Sequence, residues 1–294
     1  MFRFLWLFSL ASLILATALP ALAQEPRKYQ LTENLTLWVL VDSVMDTDLG
    51  DIFPGQEKIF SQHVPSGLAP SAILAFLLQS PEATVLIDAG QGNGAVEKSL
   101  MKTGLAPEDV TMVLLTHLHG DHLGGLMAEG RRAFPRAQVR LAREESDFWL
   151  SPDNEAEFPE RKANFELVRK ILPAYGDAVR PFEFGSEVAP GLVTMPAKGH
   201  TPGHTAYLLD TGKDKILFWG DLVHAAALQF PRPDLSPRYD HDPSAAAATR
   251  LEFMETTARE GLIVAGAHLP FPGLIRVTAV PGDEAPAFAF TPWE

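Results

Sequence analysis

The sequence predicts a mixed α/β protein folded as a single domain. Three observations lead there. Short apolar runs bounded by Gly and Pro turn signals recur along the chain, stretches of helical length fall between some of them, and no repeat, low-complexity tract or long linker divides the 294 residues. That length can bury a sizeable core without staples, and 46% hydrophobic with 21% charged residues excludes disordered, fibrous and coiled-coil classes.

Residues 1–23, MFRFLWLFSLASLILATALPALA, carry one cation (Arg3), an apolar run from Phe4 to Leu19, then Pro20 and the small-x-small triplet Ala21-Leu22-Ala23. This reads as a secretory signal peptide cleaved before Gln24, leaving residues 24–294 as the mature domain with a periplasmic or secreted address. A spanning helix needs ~20 apolar residues and this run stops at a helix breaker, so no membrane contact is expected after cleavage. Strands are expected at Leu35 to Val41, Ala72 to Leu78, Thr84 to Ile87, Val110 to Leu115, Gln138 to Leu141, Leu192 to Met195, Thr205 to Leu209, Lys215 to Trp219 and Leu262 to Ala265. Helices are expected at Ala95 to Lys102, Leu123 to Gly130, Glu144 to Leu150, Pro159 to Leu172 and Pro243 to Glu260, the last with Asp242 as N-cap and proline at the first helical position. Residues 42–70 and 221–243, polar and punctuated by Gly and Pro, read as loops covering a site.

The formal net charge is −13, and removing the leader takes away one cation and no acid. A nucleic acid would be repelled, and the basic residues lie scattered among acids rather than in a patch. With no cysteine there are neither disulfides nor thiolate ligands, so a bound metal must be held by His and carboxylates.

The strongest chemical signal is Thr116-His117-Leu118-His119-Gly120-Asp121-His122, directly after an apolar strand. Neutral imidazoles and carboxylates suit zinc and similar divalent ions, and a spacing of two at a strand end turns His117 and His119 to the same side. Asp121 and His122, in the following turn, can face a second ion.

The segment HLHGDH resembles the HxHxDH signature of the metallo-β-lactamase superfamily, and the superfamily's other parts follow in order over about residues 35 to 275. Leu86-Ile87-Asp88-Ala89-Gly90, Gly199-His200-Thr201-Pro202-Gly203-His204-Thr205, Trp219-Gly220-Asp221 and Gly266-Ala267-His268 are similar to its later motifs. The resemblance implies an αββα sandwich and two divalent ions, zinc foremost. It assigns His117, His119 and His204 to one ion and Asp121, His122 and His268 to the other, with Asp221 bridging. A water shared between two such ions is acidified to near neutrality, and the resulting hydroxide supplies a nucleophile without Ser or Cys. Asp88 is expected to accept the free ring N–H of a ligand histidine, His200 to hold its loop by a hydrogen bond, and His63 and His241 to be exposed loop residues.

The bridging aspartate argues against antibiotic hydrolysis, and the acidic chain against the ribonuclease branch. THLHGDHLGGL, KGHTPGHTAYLL, FWGDLVHAAALQF and AGAHLPFPGLIRV resemble the exported methyl parathion hydrolase group, which combines phosphotriesterases with lactonases and arylesterases. That implies a small neutral hydrophobic ester or lactone as substrate, and a homodimer. Asp121, Asp221 and His224 are the expected catalytic residues, and Trp149, His224 and Phe230 the expected pocket. The polar residues Gln91, Asn93 and His224 favour an aryl ester or lactone as the main substrate, with phosphotriester hydrolysis as a side activity. Two readings compete: phosphotriester hydrolysis as the principal activity, and a non-catalytic secreted metal-binding protein.

Overall fold

The computed structural model describes residues 24–281 and 286–294, so the leader expected at 1–23 lies outside the described residues. Strands β1 (Arg27–Thr32), β2 (Leu35–Asp48), β3 (Leu68–Gln79), β4 (Thr84–Ile87), β5 (Met112–Leu114) and β8 (Gln138–Arg140) form one sheet in the order β1-β2-β3-β4-β5-β8. The second sheet runs β15 (Ala287–Pro292), β14 (Leu274–Val280), β13 (Ile263–Ala265), β12 (Lys215–Phe218), β11 (Thr205–Asp210), β10 (Leu192–Pro196) and β9 (Glu187–Ala189). A small hairpin pairs β6 (Met127–Ala128) with β7 (Arg131–Arg132).

The two sheets face each other because their strands are apolar on both sides, the pattern of sheets covered on both faces. Leu74, Phe76, Val85, Ile87 and Leu114 of the first sheet meet Tyr207, Ile216, Phe218 and Ile263 of the second in one inner cluster. On the outer face of the first sheet, Leu77, Leu86, Val113 and Val139 pack under α3 (Ala95–Met101), α5 (Arg143–Leu150) and α7 (Lys162–Tyr175). On the outer face of the second, Leu217, Trp219, Val264 and Val277 pack under α9 (Pro243–Glu260). The result is the four-layer αββα sandwich.

Most expected elements are present. Asp242 caps α9 as expected, its side chain accepting from Ser244 N and Ala245 N. Residues 123–130 are the exception among the helices: α4 (Gly120–Leu123) ends there and a 3-10 turn leads into β6, because Gly124 and Gly125 lie hard against the backbone of residues 89–91 where a helix with side chains would not fit. Residues 42–70 are likewise not one loop. β2 and β3 extend as a long antiparallel pair out to Asp48 and Leu68, joined by α1 (Leu49–Ile52) and α2 (Glu57–His63). Beyond β8, the short α6 (Pro152–Glu157) follows α5, and α8 (Ala226–Gln229) lies in the segment after Asp221. Strands β1, β9, β14 and β15, at or next to the sheet margins, were not among the expected strands.

Parallel pairing positions the site. β4 pairs with β5 so that Ile87 lies beside Leu114, and β12 pairs with β13 so that Phe218 lies beside Ala265. Asp88 and Thr116-His117 therefore leave one sheet at the same edge, while Asp221 and His268 leave the other, and the C-terminal edges of parallel strands are where open α/β sheets bind ligands.

Candidate metal centre

Seven side chains converge between the two sheet edges in two overlapping groups, His117, His119, His200 and Asp221, and Asp121, His122, Asp221 and His268. Asp221 belongs to both. Its Oδ2 lies 3.4 Å from His200 Nε2 and 3.0 Å from His268 Nε2, and its Oδ1 lies 3.1 Å from His122 Nε2. One carboxylate thus faces both groups.

The tautomers follow from what lies behind each ring. His122 Nδ1 donates to Asp88 Oδ2 at 2.9 Å, His200 Nδ1 to Asp240 Oδ1 at 2.9 Å, and His268 Nδ1 to the Ala72 carbonyl at 3.0 Å. In the neutral form of each ring, Nε2 is then the nitrogen whose lone pair faces inward. In the first group His117 Nε2, His119 Nδ1 and His200 Nε2 approach one another to 3.0–3.2 Å. Three converging lone pairs repel unless a cation sits among them. His122 Nε2 and Asp221 Oδ1 are buried and make no hydrogen bond. Buried orphans of this kind call for an ion, and a nitrogen and carboxylate donor set fits divalent zinc.

Electrostatics agree. Burial would raise the Asp221 carboxyl, but the facing imidazoles, His122 first, hold it well below the carboxylate range. Burial would lower His268, yet the carboxylates of Asp221 and Asp121 push it up to about 10. His117 and His119 are held well below the imidazole range by desolvation and then by neighbouring rings. The carboxylates hold positive charge at the centre, and a bound cation would take the place of the protons.

A cavity of about 1020 Å³ opens over both groups. Met45, Ile52, Ile73, Leu167 and Tyr239 supply apolar lining, and Trp149 lies beside His119 with ring centroids 5.7 Å apart.

The sequence pattern of the metallo-beta-lactamase superfamily matches residues 68–268, a span containing every ligand candidate. The chain belongs to the metallo-beta-lactamase superfamily. Among solved structures, the superfamily hydrolase AbOPH superposes with a TM-score of 0.83 at 30% identity, over 92% of this chain and 98% of its own. The dizinc quorum-quenching lactonase AidC, in complex with its product N-hexanoyl-L-homoserine, superposes with a TM-score of 0.83 at 27% identity over the same shares. An N-acyl homoserine lactonase of Bacillus thuringiensis is 23% identical over 236 residues, 70% of this chain and 86% of its own. Superfamily, fold and donor set together make the protein a metal-dependent hydrolase.

Within this metallo-beta-lactamase fold the expected roles of His200 and His204 are exchanged. His204 Nδ1 donates to the Ala197 carbonyl at 2.8 Å and its Nε2 accepts the Asp221 N–H at 3.1 Å, so both nitrogens are committed to backbone. Burial, then the neighbouring His200, brings His204 down to about 3, consistent with a neutral ring in that role. Gly220 enables the contact, since it sits at a φ of +55° and a Cβ there would lie 2.4 Å from His204 Nε2. His200, expected only to hold its loop, instead faces His117 and His119.

Phe230 is also corrected: it is buried between Trp219 and Phe290, away from the cavity. His241 is half-buried against Phe148 and Phe158 rather than exposed, while His63 is exposed. Asp88 lies where expected, its two oxygens accepting from Thr116 N, Thr116 Oγ1 and His122 Nδ1. Trp149 and His224 both line the cavity, and His224 Nε2 lies 3.1 Å from Asp221 Oδ2. Burial lowers the His224 imidazole, which favours its neutral form.

Sequence reading missed three supporting residues. Glu145 accepts four hydrogen bonds, from Leu118 N, Trp149 Nε1, Thr201 Oγ1 and Gly203 N, and so ties the turn carrying His117 to the turn carrying His200. Burial raises its carboxyl, against those donors. Its position four residues before Trp149, on the buried face of an amphipathic helix, was the available signal. Asp240 and Arg250 left no such trace, because their partners lie far away in sequence.

Proposed function

We propose that the protein is a binuclear metallohydrolase whose main substrates are lactones, N-acyl homoserine lactones first among them, together with aryl esters. The observation that carries this is the pair of four-ligand groups sharing Asp221 at the floor of a largely apolar cavity. The lactonase activity of the similar AidC and of the Bacillus thuringiensis relative supports the substrate class. His117, His119 and His200 would hold one ion, Asp121, His122 and His268 the other, and Asp221 both. When bound, two divalent ions, zinc foremost, acidify water and polarise the substrate carbonyl.

The chain's own residues do the rest. The apolar walls exclude water from the acyl chain and orient the ring ester toward the floor, where positioning converts binding into rate. The neutral His224 imidazole, beside Asp221, can donate to the carbonyl or leaving oxygen of a lactone. The Asp121 carboxylate, the more solvent-accessible of the two at the centre, can take a proton from the attacking water and pass that proton to the ring-opened alkoxide. Phosphotriester hydrolysis is the second reading, favoured by the width and apolar character of the same cavity, and we place it as a side activity.

The deciding experiment compares kcat/KM for acyl-homoserine lactones, aromatic lactones, aryl acetates and paraoxon-type triesters on metal-loaded enzyme. Lactones are expected to give the highest values by orders of magnitude. A triester preference would reverse the order of the two readings, and full activity after metal stripping would sink both.

A further inference from the structure

Behind the His117, His119 and His200 group lies a buried pair of opposite charges that the chemistry above does not use. Asp240 accepts from His200 Nδ1 on one oxygen and, at 3.2 Å, from Arg250 Nη2 on the other. Asp240 and Arg250 are 4% and 1% exposed. The remaining Arg250 donors reach three carbonyls: Nε that of Leu222, next to Asp221, and Nη1 those of Pro233 at 2.8 Å and Leu235 at 3.0 Å. The loop so anchored continues through Arg238 and Tyr239, which line the cavity, to Asp240. Two backbone bonds then close it onto the metal-facing turn: His241 N donates to His200 O at 3.0 Å and Asp242 N to Gly199 O at 2.9 Å.

We infer that Asp240 and Arg250 are positioning residues that set the cation affinity of the His117, His119 and His200 group, and couple its filling to the order of the cavity wall at Arg238 and Tyr239. The inference rests on the metal-dependent reading proposed above. An acid behind a ligand histidine fixes its tautomer and makes the facing nitrogen a better donor. A cation on Nε2 in turn polarises the Nδ1–H and tightens its bond to Asp240, and binding free energies linked in this way are reciprocal. A buried Arg–Asp pair costs desolvation that an apolar pair would avoid, so a role beyond packing accounts for its presence here. The acid behind the other group is placed differently. His122 is backed by Asp88, whose other hydrogen bonds go to Thr116 at the sheet edge.

The test is a zinc titration of the chelator-treated full-length protein by calorimetry, with hydrogen exchange followed at the amides of His241 and Asp242. The wild type should bind two equivalents, and zinc should slow exchange at these two amides about tenfold or more. Asp240→Asn should weaken one equivalent about 10- to 100-fold and abolish the slowing, and Arg250→Met should weaken the same equivalent. Asp88→Asn should weaken the other and leave the slowing intact. Two zinc equivalents without any change in exchange in the wild type would overturn this inference alone, and so would wild-type zinc affinity in a folded Asp240→Asn protein. An equal weakening of both equivalents by Asp240→Asn would reduce Asp240 to a general structural role. A wild type that binds no zinc would overturn the metal-dependent reading itself, and this inference with it. The exchange experiment needs no variant, so a failure of Asp240→Asn to fold leaves the question decidable.

Discussion

His122 and His200 face different oxygens of the Asp221 carboxylate, and each is held from behind by a buried acid at 2.9 Å. The two acids come from different kinds of structure. Asp88 leaves the end of β4, where parallel pairing with β5 sets its position against Thr116 and His122, and it sits at an unusual φ of 60° that the surrounding bonds sustain. Asp240 comes from a proline-rich loop that has no ladder to align it and depends on Arg250 and a few carbonyl contacts. The backing of His122 inherits its geometry from a sheet, whereas that of His200 has to be assembled by side chains. Two groups whose histidines are backed so differently can therefore differ in how readily they would release a metal.

The harshest way to break the comparison is to remove what the halves share. Stripping both ions with a chelator should lower lactone kcat/KM by more than about a thousandfold, since the metals supply several kcal/mol of transition-state stabilisation, and readdition of zinc should restore it. Assays before and after metal readdition check this.

The exchange of roles between the two histidines of the GHTPGH segment sharpens it further. His200→Ala should remove one metal equivalent and, although it takes a donor from Asp240, should cost the metal-free protein less than the His204 change, because it also relieves the crowding of His117 Nε2 and His119 Nδ1. His204→Ala should instead cost about 2–4 kcal/mol in denaturant unfolding, because it opens a hole and leaves the Asp221 N–H and the Ala197 carbonyl without partners. Metal analysis beside unfolding curves separates the two, and the opposite pairing of results would restore the assignment expected from sequence.

Glu145→Gln tests the tie between the two ligand-bearing turns. An amide can accept on only one of its two heavy atoms, so buried donors lose their partner, and a loss of about 2–3 kcal/mol is expected in thermal or denaturant unfolding. His224→Leu comes next: lactone kcat/KM should fall about tenfold, the value of one hydrogen bond in the transition state. Metal content should be unchanged, and relative activity toward bulky triesters should rise. The smallest effect belongs to Phe230→Leu, expected to cost about 1 kcal/mol of stability and leave KM unaltered, since the ring packs on Trp219 rather than on substrate.

How far the site could be read ahead depended on sequence distance. His117, His119, Asp121 and His122 stand within six residues, and Asp88, Asp221 and His268 each follow a short apolar strand, so local pattern was enough to find them. His200 and His204 share one motif and one residue type. Choosing between them required knowing that Gly220 brings the Asp221 N–H onto His204 Nε2, a contact across the fold. Phe230 failed as a pocket residue for a similar reason: an apolar side chain after Asp221 can face the cavity or the outer helix layer, and only packing decides. The long β2–β3 pair was hidden because its outer half, with Val44, Met45 and Leu68 exposed, lacks the apolar alternation that marks a buried strand.

The sequence by itself determined the family of fold, most of the inner strands, the donor chemistry and six of the seven residues in the two metal groups, because apolar period and close-spaced histidines are local properties. Tertiary structure alone decided which histidine of GHTPGH faces His117 and His119, that Glu145 ties two turns together, and that Asp240 and Arg250 stand behind His200. Those outcomes depend on where hydrogen-bond donors and acceptors distant in sequence meet in space, and a buried polar group takes the partner that the fold delivers to it.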